Sequence, residues 1–407
     1  MARIVQKFGG TSVGDLDRIR QVAQKVRSCV DAGNQVAVVV SAMAGTTNQL
    51  VEWAKQIGPI HDAREYDTIV STGEQVTVGL LSIALQNIGV DARSWLGWQI
   101  PIKTDEVHST ARIEEIKALD IIERLEKGQV AVVAGFQGIA PDGRISTLGR
   151  GGSDTSAVAL AAAIKADRCD IYTDVDGVYT TDPRIMSKAR KLDYITFEEM
   201  LEMASSGAKV LQTRSVAMAM RHRVNLQVLS SFNDTPGTLV QNEEKQMEKQ
   251  KVSGIAYSAE EAKVTVVGLP DKPGTAARIF GVLSELNINV DMIVQSASVN
   301  LQKTDITFSL ARLDLSKAVT SIANLKDELA FERLVHDDNI AKISVIGTAM
   351  RTQPGIAKCM FEVLSEKKIN MQVISTSEIK ISVLIQADYA ELAVRSLHDA
   401  FGLDASD

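Results

Sequence analysis

The sequence predicts an α/β protein with a mostly parallel sheet covered by helices, followed by two smaller α+β units. Three observations carry this prediction. Residues 1–241 alternate apolar, strand-like runs with helix-like segments, which is typical of a parallel sheet covered on both faces. A charged stretch without an apolar pattern follows, NEEKQMEKQK at residues 242–251. Beyond it, one block of sequence occurs twice, at residues 263–293 and 342–374.

Each predicted strand of the first part is a short apolar run, and glycines or hydroxyl residues follow it. Ligands of parallel sheets bind beyond the carboxyl ends of the strands, so we expect the functional groups in these following stretches. After the first strand, Leu16, Ile19, Val22 and Val26 recur at helical spacing and predict a helix. The predicted strands are Arg3–Phe8, Gln35–Val40, Val130–Ala134, Cys169–Thr173 and Asn225–Ser230.

The repeated block predicts a small unit of strand, Pro-Gly turn, amphipathic helix and strand. A further strand follows each copy, at Asp305–Leu310 and Ile379–Ile385, and a final helix at Tyr389–Phe401 extends the second copy. The second part is therefore an internal repeat of a β-α-β-β unit. We assign a first domain at 1–241, a linker or edge segment at 242–262, and repeat units at 263–341 and 342–407.

The composition excludes several classes of protein. The 407 residues are 45% hydrophobic and 23% charged, as in globular domains, and the net charge of −7 disfavours general nucleic-acid binding. Cys29, Cys169 and Cys359 lie far apart and predict neither a disulfide framework nor a metal site. The chain begins with a strand-like run rather than a signal peptide, and no apolar run approaches the ~20 residues that span a bilayer. We expect a cytoplasmic protein that binds neither nucleic acid nor membrane.

The stretch KFGGTSVG, at residues 7–14, places a lysine beside glycines at the end of the first strand. Backbone amides of such a turn can hold an anion, and a lysine adds a charge suited to phosphate. The sequence contains no Walker A pattern, G-x-x-x-x-G-K-[ST]. Taken alone, KFGGTSVG also fits a simple strand-turn-helix corner, so the other motifs must decide.

Three more stretches of this kind follow predicted strands. SAMAGTTN (41–48) opens a helix whose free amides favour an anion. GRGGSDTSA (149–157) places Arg150 before another helix, where its guanidinium can bind a carboxylate or phosphate through two hydrogen bonds. TDVDGVYTTDPR (173–184) is similar to part of a calcium loop but lacks the glycine spacing and closing glutamate of an EF-hand. Four such stretches in one α/β domain, each after a strand, together favour a functional site over a purely structural role.

Six motifs, KFGGTSV, SAMAGTTN, STGEQ, GRGGSDTSA, YTDVDGVYTTDPR and GAKVLQTRSV, together resemble the aspartate kinases of the amino-acid kinase family. GLPDKPGTAARIF in the repeat resembles their paired ACT regulatory domains, and the resemblance covers essentially the whole chain in order. It implies a three-layer, carbamate-kinase-like catalytic domain, two ACT units of βαββαβ topology and no homoserine dehydrogenase half. The implied reaction transfers the γ-phosphoryl group of ATP, bound with Mg²⁺, to the side-chain carboxylate of L-aspartate.

The resemblance also implies a role for individual residues. Lys7, Arg150 and Asp154 would be catalytic, with Asp154 orienting Lys7 or helping to position Mg²⁺. The residues implied to bind ATP are Lys7, Phe8, Gly9, Gly10, Ser41, Thr173, Asp174, Tyr179, Thr180, Asp182, Arg184 and Lys209. Those implied to bind aspartate are Thr47, Glu74 (to the ammonium), Arg150 (to the α-carboxylate), Gly151, Gly152 and Ser153. No residue is assigned to a resident metal.

Alternative roles remain open for three of these residues. Asp154 could serve only as a helix N-cap, Glu74 as a surface helix residue, and Tyr179 as a packing residue. At the level of the whole protein, three alternatives remain. One is a kinase of the same family acting on glutamate, acetylglutamate or a nucleotide. The second is a non-catalytic amino-acid sensor. The third is a Rossmann dehydrogenase, which the absence of G-x-G-x-x-G after the first strand disfavours.

The ACT pair implies control by lysine, threonine or both, as in relatives of this architecture, and the sequence does not choose among them. Amides of the first Pro-Gly turn, at a helix N-terminus, can hold the carboxylate of an amino acid. The second repeat lacks the acidic partner of the first, so the two sites should differ. The residues expected to bind effectors are Asp271, Lys272, Pro273, Gly274, Thr275, Ala276, Asn289, Asp291, Gln295, Pro354, Gly355, Ile356, Asn370 and Ser382.

We also expect an assembly built through the C-terminal half, because ACT units have open sheet edges that pairing between chains can cover. This is either a homo-oligomer or an assembly with a shorter chain started internally, for which Met247 is a candidate. An incidental linker methionine fits the sequence equally well. A purely dimerising role for the ACT pair is the alternative to effector binding.

Overall fold

The computed structural model describes residues 1–242, 252–298, 303–351 and 355–404. These residues divide into two compact units. The first unit contains Met1–Val178, Lys191–Ala204 and the described residues of Lys209–Met247. The second contains Tyr179–Arg190, Ser205–Ala208 and the described residues of Glu248–Asp407. Met247, Gln353 and Pro354 lie outside the described residues.

Up to residue 242 the chain alternates strands and helices. In order these are β1 (Arg3–Phe8), α1 (Leu16–Asp31), β2 (Gln35–Val40), α2 (Thr46–Ile57), α3 (Ala63–Val70), α4 (Thr72–Asn87), β3 (Ala92–Trp95), β4 (Ile102–Thr104), β5 (Ile113–Ile116), α5 (Leu119–Glu126), β6 (Val130–Ala134), β7 (Gln137–Ile139), β8 (Ile145–Thr147), α6 (Gly152–Ala163), β9 (Arg168–Thr173), β10 (Tyr194–Thr196), α7 (Phe197–Ser205), α8 (Thr213–His222), β11 (Leu226–Ser230) and β12 (Thr238–Gln241).

An eight-stranded sheet in the order β10-β12-β11-β9-β1-β2-β6-β3 forms the centre of the first unit. All neighbouring pairs in it are parallel except β11 with β12. Its central strands are apolar throughout because both faces are covered: every residue of β6 is buried. Helices α1 and α4 pack on one face through Ile19, Val22, Leu81 and Leu85. The predicted mostly parallel α/β fold is confirmed.

The five predicted strands of this unit are confirmed, with bounds that shift by one residue at β9 and β11. The first predicted helix is α1, and the side chain of Asp15 caps it by accepting a hydrogen bond from Arg18 N at 2.8 Å. Ile19, Val22 and Val26 are buried there, whereas Leu16 is exposed. A second sheet, in the order β5-β4-β7-β8, was not predicted. Its strands span only three or four residues, too few to show a period.

Because the central strands are parallel, the stretches that follow them meet at one edge of the sheet. Backbone hydrogen bonds join these stretches: Ser41 N donates to Phe8 O at 3.1 Å and Gly135 N to Val40 O at 3.0 Å. On the other side of β1, Gly9 N donates to Tyr172 O at 3.3 Å. The sequence motifs are therefore held close together by the sheet itself.

Beyond residue 253 the chain forms an ACT-like α+β unit. Its elements are β13 (Gly254–Pro270), α9 (Thr275–Glu285), β14 (Val290–Ser298), β15 (Lys303–Ala311), α10 (Leu315–Ala323), α11 (Lys326–Leu329), β16 (Arg333–Ile346), α12 (Gly355–Glu366), β17 (Met371–Thr376), β18 (Lys380–Gln386) and α13 (Ala390–Ala400), with single 3₁₀ turns at Arg312–Asp314, Thr348–Arg351 and Ala387–Tyr389.

The two repeats share one antiparallel sheet in the order β14-β15-β13-β16-β18-β17. The long strands β13 and β16 pair with each other at its centre. Residues 254–258 of β13 extend the sheet of the second repeat, and residues 333–337 of β16 extend that of the first. Each β-α-β-β block thus gains strand pairing from the other repeat. β13 begins inside the segment 242–262 that the sequence analysis assigned as linker or edge.

By length and composition alone, Ala63–Asn87, which spans α3 and α4, could cross a membrane. Half of its most apolar window is buried inside the protein, and a core helix meets the same criterion. Its burial here comes from packing: Val78, Leu81 and Leu85 of α4 belong to the core beneath the parallel sheet. Helix α4 is therefore a core helix of the first unit.

Candidate active site

A cavity of about 420 Å³ opens at the carboxyl edge of the parallel sheet in the first unit. Three of the motifs found in the sequence, KFGGTSVG, SAMAGTTN and GRGGSDTSA, contribute to its wall, together with Glu74 from STGEQ and Gln212 from GAKVLQTRSV. The lining residues are Lys7, Gly10, Ser41, Ala42, Met43, Ala44, Gly45, Thr47, Asn48, Glu74, Phe136, Gly149, Arg150, Gly151, Gly152, Ser153, Asp154 and Gln212. The structure thus brings together the predicted phosphate-side residues Lys7, Gly10, Ser41 and Asp154. It also brings together all six residues predicted to bind aspartate.

An ion pair lies in the wall of the cavity. Lys7 Nζ is 2.6 Å from Asp154 Oδ1, and both side chains are only about one-tenth exposed. Lys7 is the last residue but one of β1, whereas Asp154 lies in the first turn of α6. The N-cap of α6 is Gly151 and not Asp154, and the Asp154 carboxylate pairs with the lysine instead. The Lys7 ammonium is therefore held in one place at the wall of the cavity.

Glu74 supplies a buried carboxylate to the wall of the cavity. The residue lies in the first turn of α4 and is 3% exposed. Its Oε1 accepts a hydrogen bond from Ala42 N at 3.0 Å, while its Oε2 has no hydrogen-bond partner among the described residues. Burial raises the pKa of Glu74 from 4.5 to about 7. An ammonium group bound at Oε2 would offset this desolvation and restore the charged form.

Arg150 lies in a short loop, residues 149–152, between two glycines that adopt left-handed backbone conformations. Gly149 has φ +75° and Gly151 φ +72°. The Arg150 guanidinium is exposed and pairs with no acidic side chain in the described part of the chain. A side chain on Gly151 would meet Gln212, since a Cβ there would lie 2.0 Å from Gln212 Cγ. The loop therefore presents to the cavity a cation without an acidic partner among the described residues, on a backbone conformation that glycine adopts most readily.

Two helices begin at the cavity, and both have glycine N-caps in the left-handed conformation. Gly45 caps α2 with φ +83°, and Gly151 caps α6, and neither N-cap has a side-chain hydrogen bond to the helix amides. Free amides at two helix N-termini favour anions. The backbones approach closely here: a Cβ on Gly10 would lie 3.0 Å from Ala42 O. With Lys7 and Arg150, the cavity offers four features that attract negative charge.

The residues predicted to bind ATP are more dispersed. Phe8 is fully buried and stacks on Tyr172, with ring centroids 4.5 Å apart, so its side chain packs in the core. Thr173 ends β9, and its hydroxyl donates to Asp174 Oδ1 at 3.1 Å. Gly9 N donates to Tyr172 O, which places Gly9 beside the end of β9. Lys209 belongs to the first unit and is exposed.

The other four predicted ATP residues belong to the segment Tyr179–Arg190 of the second unit. Thr180 is fully buried, and its hydroxyl lies 2.9 Å from His398 Nε2 of α13. Asp182 accepts a two-pronged pair of hydrogen bonds from Arg184, whose side chain is 86% exposed. Tyr179 is half-buried.

Several residues of the cavity were not predicted from the sequence. Ala42, Met43, Ala44, Gly45 and Asn48 belong to the quoted motif SAMAGTTN, and Gln212 to GAKVLQTRSV, so the motifs themselves contained the signal. Phe136 follows β6 in a left-handed conformation, with φ +69°, and no pattern in the sequence marks it. No group of three His, Cys, Asp or Glu side chains able to hold a metal occurs among the described residues.

In the second unit, the residues predicted to bind an effector surround a helix N-terminus and the strands beside it. Gly274 caps α9 with φ +97°, and Thr275 Oγ1 donates to Lys272 O at 3.0 Å. The predicted residues Asp271, Lys272 and Pro273 are exposed in the turn before it. In the second repeat Gly355 begins α12, but Ile356 is buried in the core. Ser382 is buried and lies 2.8 Å, Oγ to Oγ, from Ser344.

Asp291, one of the residues predicted to bind an effector, already contacts a lysine of this chain. Lys342 Nζ lies 2.6 Å from Asp291 Oδ2 and 3.4 Å from Glu261 Oε1, and its side chain is 3% exposed. Lys263, at the position of the first repeat that corresponds to Lys342, donates to Gln372 Oε1 at 2.6 Å. Gln372 in turn corresponds to Asp291 in the alignment of the repeats. The two repeats therefore exchange equivalent contacts, one charged and one neutral.

Comparison with known proteins agrees with this architecture. The profile of the amino acid kinase family matches residues 2–230, and that of the ACT domain matches residues 264–324 and 343–401. An amino acid kinase domain followed by paired ACT domains therefore defines the class of protein. The aspartate kinase of Stutzerimonas stutzeri is 54% identical over 406 residues, which cover 100% of this chain and 98% of that protein.

Solved structures give the same result. E. coli aspartokinase III in complex with aspartate and ADP (R-state) has a TM-score of 0.82 at 30% identity, over 98% of this chain and 99% of that one. Its complex with lysine and aspartate (T-state) has a TM-score of 0.75 over the same shares of the two chains. This chain belongs to the aspartate kinases of the amino acid kinase family, and it is a phosphotransferase.

Proposed function

We propose that this protein transfers the γ-phosphoryl group of ATP to the side-chain carboxylate of L-aspartate, forming ADP and 4-phospho-L-aspartate. One observation carries the choice of acceptor. A single cavity contains a buried carboxylate oxygen on Glu74 and a guanidinium on Arg150, and among the described residues the first has no hydrogen-bond partner and the second no acidic partner. This pair suits the ammonium and α-carboxylate of an amino acid. The E. coli relative was solved with aspartate and ADP, which supports the same acceptor and nucleotide.

In this proposal the remaining residues of the cavity act on the reacting groups. Phosphoryl transfer requires positioning and neutralisation of charge more than covalent chemistry by the protein. Lys7, held by Asp154, stabilises charge on the transferring phosphoryl oxygens, and the amides near Gly9 and Gly10 hold phosphate oxygens. Ser41 contacts the phosphate side and Thr47 the aspartate. Within the first unit, Thr173, Asp174 and Lys209 are proposed to contact the nucleotide, as the family resemblance implies.

Mg²⁺ is proposed to enter with the nucleotide. The cavity offers oxygen donors, the Asp154 carboxylate and the Ser41 and Ser153 hydroxyls, which are the ligand type that Mg²⁺ takes. The described residues hold no cluster of three acidic or histidine ligands, so the donors present fit an ion held mainly by phosphates and water. The ion would supply charge neutralisation of the phosphates, while Lys7 and the helix N-termini remain the contribution of the chain.

The test is ATP-dependent hydroxamate formation with aspartate, glutamate and acetylglutamate as acceptors, each over a full concentration range. We expect the highest kcat/KM with aspartate and release of one ADP per hydroxamate. A higher value with another acceptor would identify a different kinase of the family. No turnover with any acceptor, together with calorimetric binding of an amino acid, would instead identify a non-catalytic sensor.

We further propose feedback control through the second unit by lysine, threonine or both, in a pathway that leads to lysine, threonine and methionine. The ACT domains and the E. coli structure with lysine support this proposal. Calorimetry with each amino acid and with their mixture, repeated with aspartate and ATP present, measures the coupling. Because coupling is reciprocal, substrates should weaken effector binding by the factor by which effectors weaken theirs. Absence of both heat and inhibition would leave the ACT pair with an assembly role only.

An oligomer that covers the edges of the six-stranded sheet is proposed as well, either of identical chains or with a shorter chain started at Met247. Strands β14 and β17 lie at the two ends of this sheet and support it, since the edge of a sheet favours pairing with another chain. Mass spectrometry of the assembly purified from its native gene distinguishes one chain from two. We propose a cytoplasmic location, which cell fractionation tests.

A further inference from the structure

The position of Arg150 depends on the backbone before it, because nothing in the described chain pairs with its guanidinium. The Arg150 loop, residues 149–152, contains glycines on both sides of Arg150. Glycine loses more backbone freedom on ordering than any other residue, so such a loop is not rigid by itself. Gly152 begins α6 and its N donates to Gly149 O at 2.9 Å, so the helix holds one end of the loop, and the groups that hold Thr147 and Leu148 fix the other.

Asp67 of α3 holds this segment. Its carboxylate is completely buried and accepts hydrogen bonds from Thr147 N at 3.0 Å and from Thr147 Oγ1 at 2.6 Å. It also accepts from Ser109 N at 3.0 Å, and His108 Nδ1 lies 2.8 Å from it. One carboxylate thus joins residues 108–109 to Thr147, which lies two residues before the Arg150 loop.

Arg214 of α8 hydrogen-bonds to residues that follow in the same two segments of chain, Ala111 and Leu148. Its Nη1 donates to Leu148 O at 2.8 Å and its Nη2 donates to Ala111 O at 2.6 Å. Ala111 N in turn donates to Thr147 O at 2.9 Å, which completes the connection between the segments. Ser109 O also limits Gly149, where a Cβ would lie 3.0 Å away.

Burial of charged groups away from water is costly unless hydrogen bonds replace the lost hydration. Here the bonds of Asp67 and Arg214 go to backbone and side-chain groups of the two segments rather than to each other. Neither residue lines the cavity. A purely structural pair would be satisfied more simply by a direct ion pair, whereas this arrangement fixes the backbone on both sides of residue 148.

We propose that Asp67 and Arg214 are positioning residues that fix the Arg150 loop for the α-carboxylate of the substrate. The inference rests on the proposed function, since the ligand that the positioned Arg150 binds is taken to be aspartate. Asp67 and Arg214 touch no substrate and act through Thr147 and Leu148. Loss of either residue should weaken acceptor binding far more than nucleotide binding.

The kinetic test compares Asp67→Asn, Arg214→Met and Arg214→Lys with wild type. A misplacement of about 1 Å can cost ~10²-fold, so we expect the KM for aspartate to rise ~10- to 100-fold in the first two variants, with the KM for ATP changed less than ~2-fold. Arg214→Lys, which keeps the charge and one donor, should recover part of the loss. Equal changes in both KM values, or none in a folded variant, would overturn the proposal.

Glu199→Gln is the matched control, because Glu199 is also a buried carboxylate of the first unit that accepts hydrogen bonds from a backbone amide and a hydroxyl, those of Thr196. It should leave the KM for aspartate unchanged. A double variant, Asp67→Asn with Arg150→Ala, should match Arg150→Ala within ~2-fold, because residues that act through one another are not additive. A further ~10-fold rise in the double variant would show that Asp67 acts independently of Arg150.

Hydrogen exchange gives a result that does not depend on turnover. In Asp67→Asn we expect faster deuterium uptake at residues 108–112 and 147–152, and unchanged uptake in β1, β2 and α7. Unchanged uptake at 147–152 would overturn the positioning role even if activity fell. If wild type itself does not phosphorylate aspartate, the proposed function fails, while the exchange data still decide whether Asp67 orders the Arg150 loop.

Discussion

Lys7 Nζ lies 2.6 Å from Asp154 Oδ1 although 147 residues separate them in the sequence. One comes from the end of the first strand and the other from the first turn of α6, and the parallel sheet brings both to the same edge. Because both side chains are largely buried, their charges interact more strongly than surface charges would. The pair gives the cavity one ordered cation beside two helix N-termini.

Replacing Lys7 by alanine should lower kcat severely. The charge of Lys7 stabilises the oxygens on which negative charge spreads in the transition state, and loss of one preorganised group of this kind costs ~10²–10³-fold. Steady-state kinetics at saturating ATP and aspartate measure it. Lys25→Ala, which removes a lysine of a surface ion pair with Asp234, is the control and should retain wild-type turnover. Unchanged kcat in Lys7→Ala would refute the assigned role.

Replacing Arg150 by alanine should act on the acceptor rather than on turnover. The guanidinium provides charge-assisted hydrogen bonds, so we expect the KM for aspartate to rise ~10- to 100-fold. The KM for ATP should change much less. Arg20→Ala, at an exposed arginine paired with Asp17 on α1, is the control. An effect confined to the KM for ATP would place Arg150 on the nucleotide instead.

Replacing Glu74 by glutamine should have opposite effects on stability and on substrate binding. Burial raises the pKa of Glu74 above its value in the unfolded chain, to about 7, so its protonated form is favoured in the folded protein. The corresponding stabilisation is complete below pH ~4.5 and disappears as the pH rises through about 7. In Glu74→Gln, which cannot ionise, the free energy of unfolding without ligand should exceed that of wild type at pH 8, and the difference should vanish toward pH 5.

The same substitution should impair substrate binding. A neutral amide cannot pair with the ammonium of aspartate, so the KM for aspartate should rise ~10-fold or more. In wild type, this KM should rise as the pH falls below about 7, because Glu74 takes up a proton. Thermal unfolding and initial rates between pH 5 and 8 measure both effects. A KM in Glu74→Gln that follows the pH as in wild type would assign the titration to another group.

Much of this site could be predicted from sequence because its residues follow strands whose apolar runs are easy to find. Lys7, Ser41 and Arg150 each stand within a few residues of a strand or helix terminus, so the topology alone brings them together. Asp67 and Arg214 could not be predicted in this way. Asp67 is 80 residues from Thr147, and its role depends on side-chain geometry that no periodicity records.

The ACT repeat shows a second limit of sequence reasoning. The alignment of the repeats identifies Asp291 as an acidic residue that Gln372 replaces in the second copy. It does not reveal that each repeat presents a lysine to this position in the other, because that contact depends on the pairing of β13 with β16. Contacts between repeats arise from sheet register, which is set only when both long strands have formed.

Lys342 and Lys263 form a matched pair for a last prediction. Lys342 is buried, which by itself would lower its pKa, but Glu261 and Asp291 outweigh burial and hold the pKa of its ammonium above the usual range. Lys342→Met should lower the free energy of opening of β13 and β16 by about 2 kcal/mol, because it leaves the largely buried Glu261 carboxylate without this cation. Lys263→Met, which loses a bond to the neutral Gln372, should cost less than about 1 kcal/mol. Native-state hydrogen exchange of residues 254–267 and 333–346 in the full chain measures both.

If Asp291 also binds the ammonium of an effector, Lys342→Met should tighten that binding, since the competing cation is removed, whereas Lys263→Met should not. Equal destabilisation by the two substitutions would show that the charge of Asp291 and Glu261 contributes nothing to the contact.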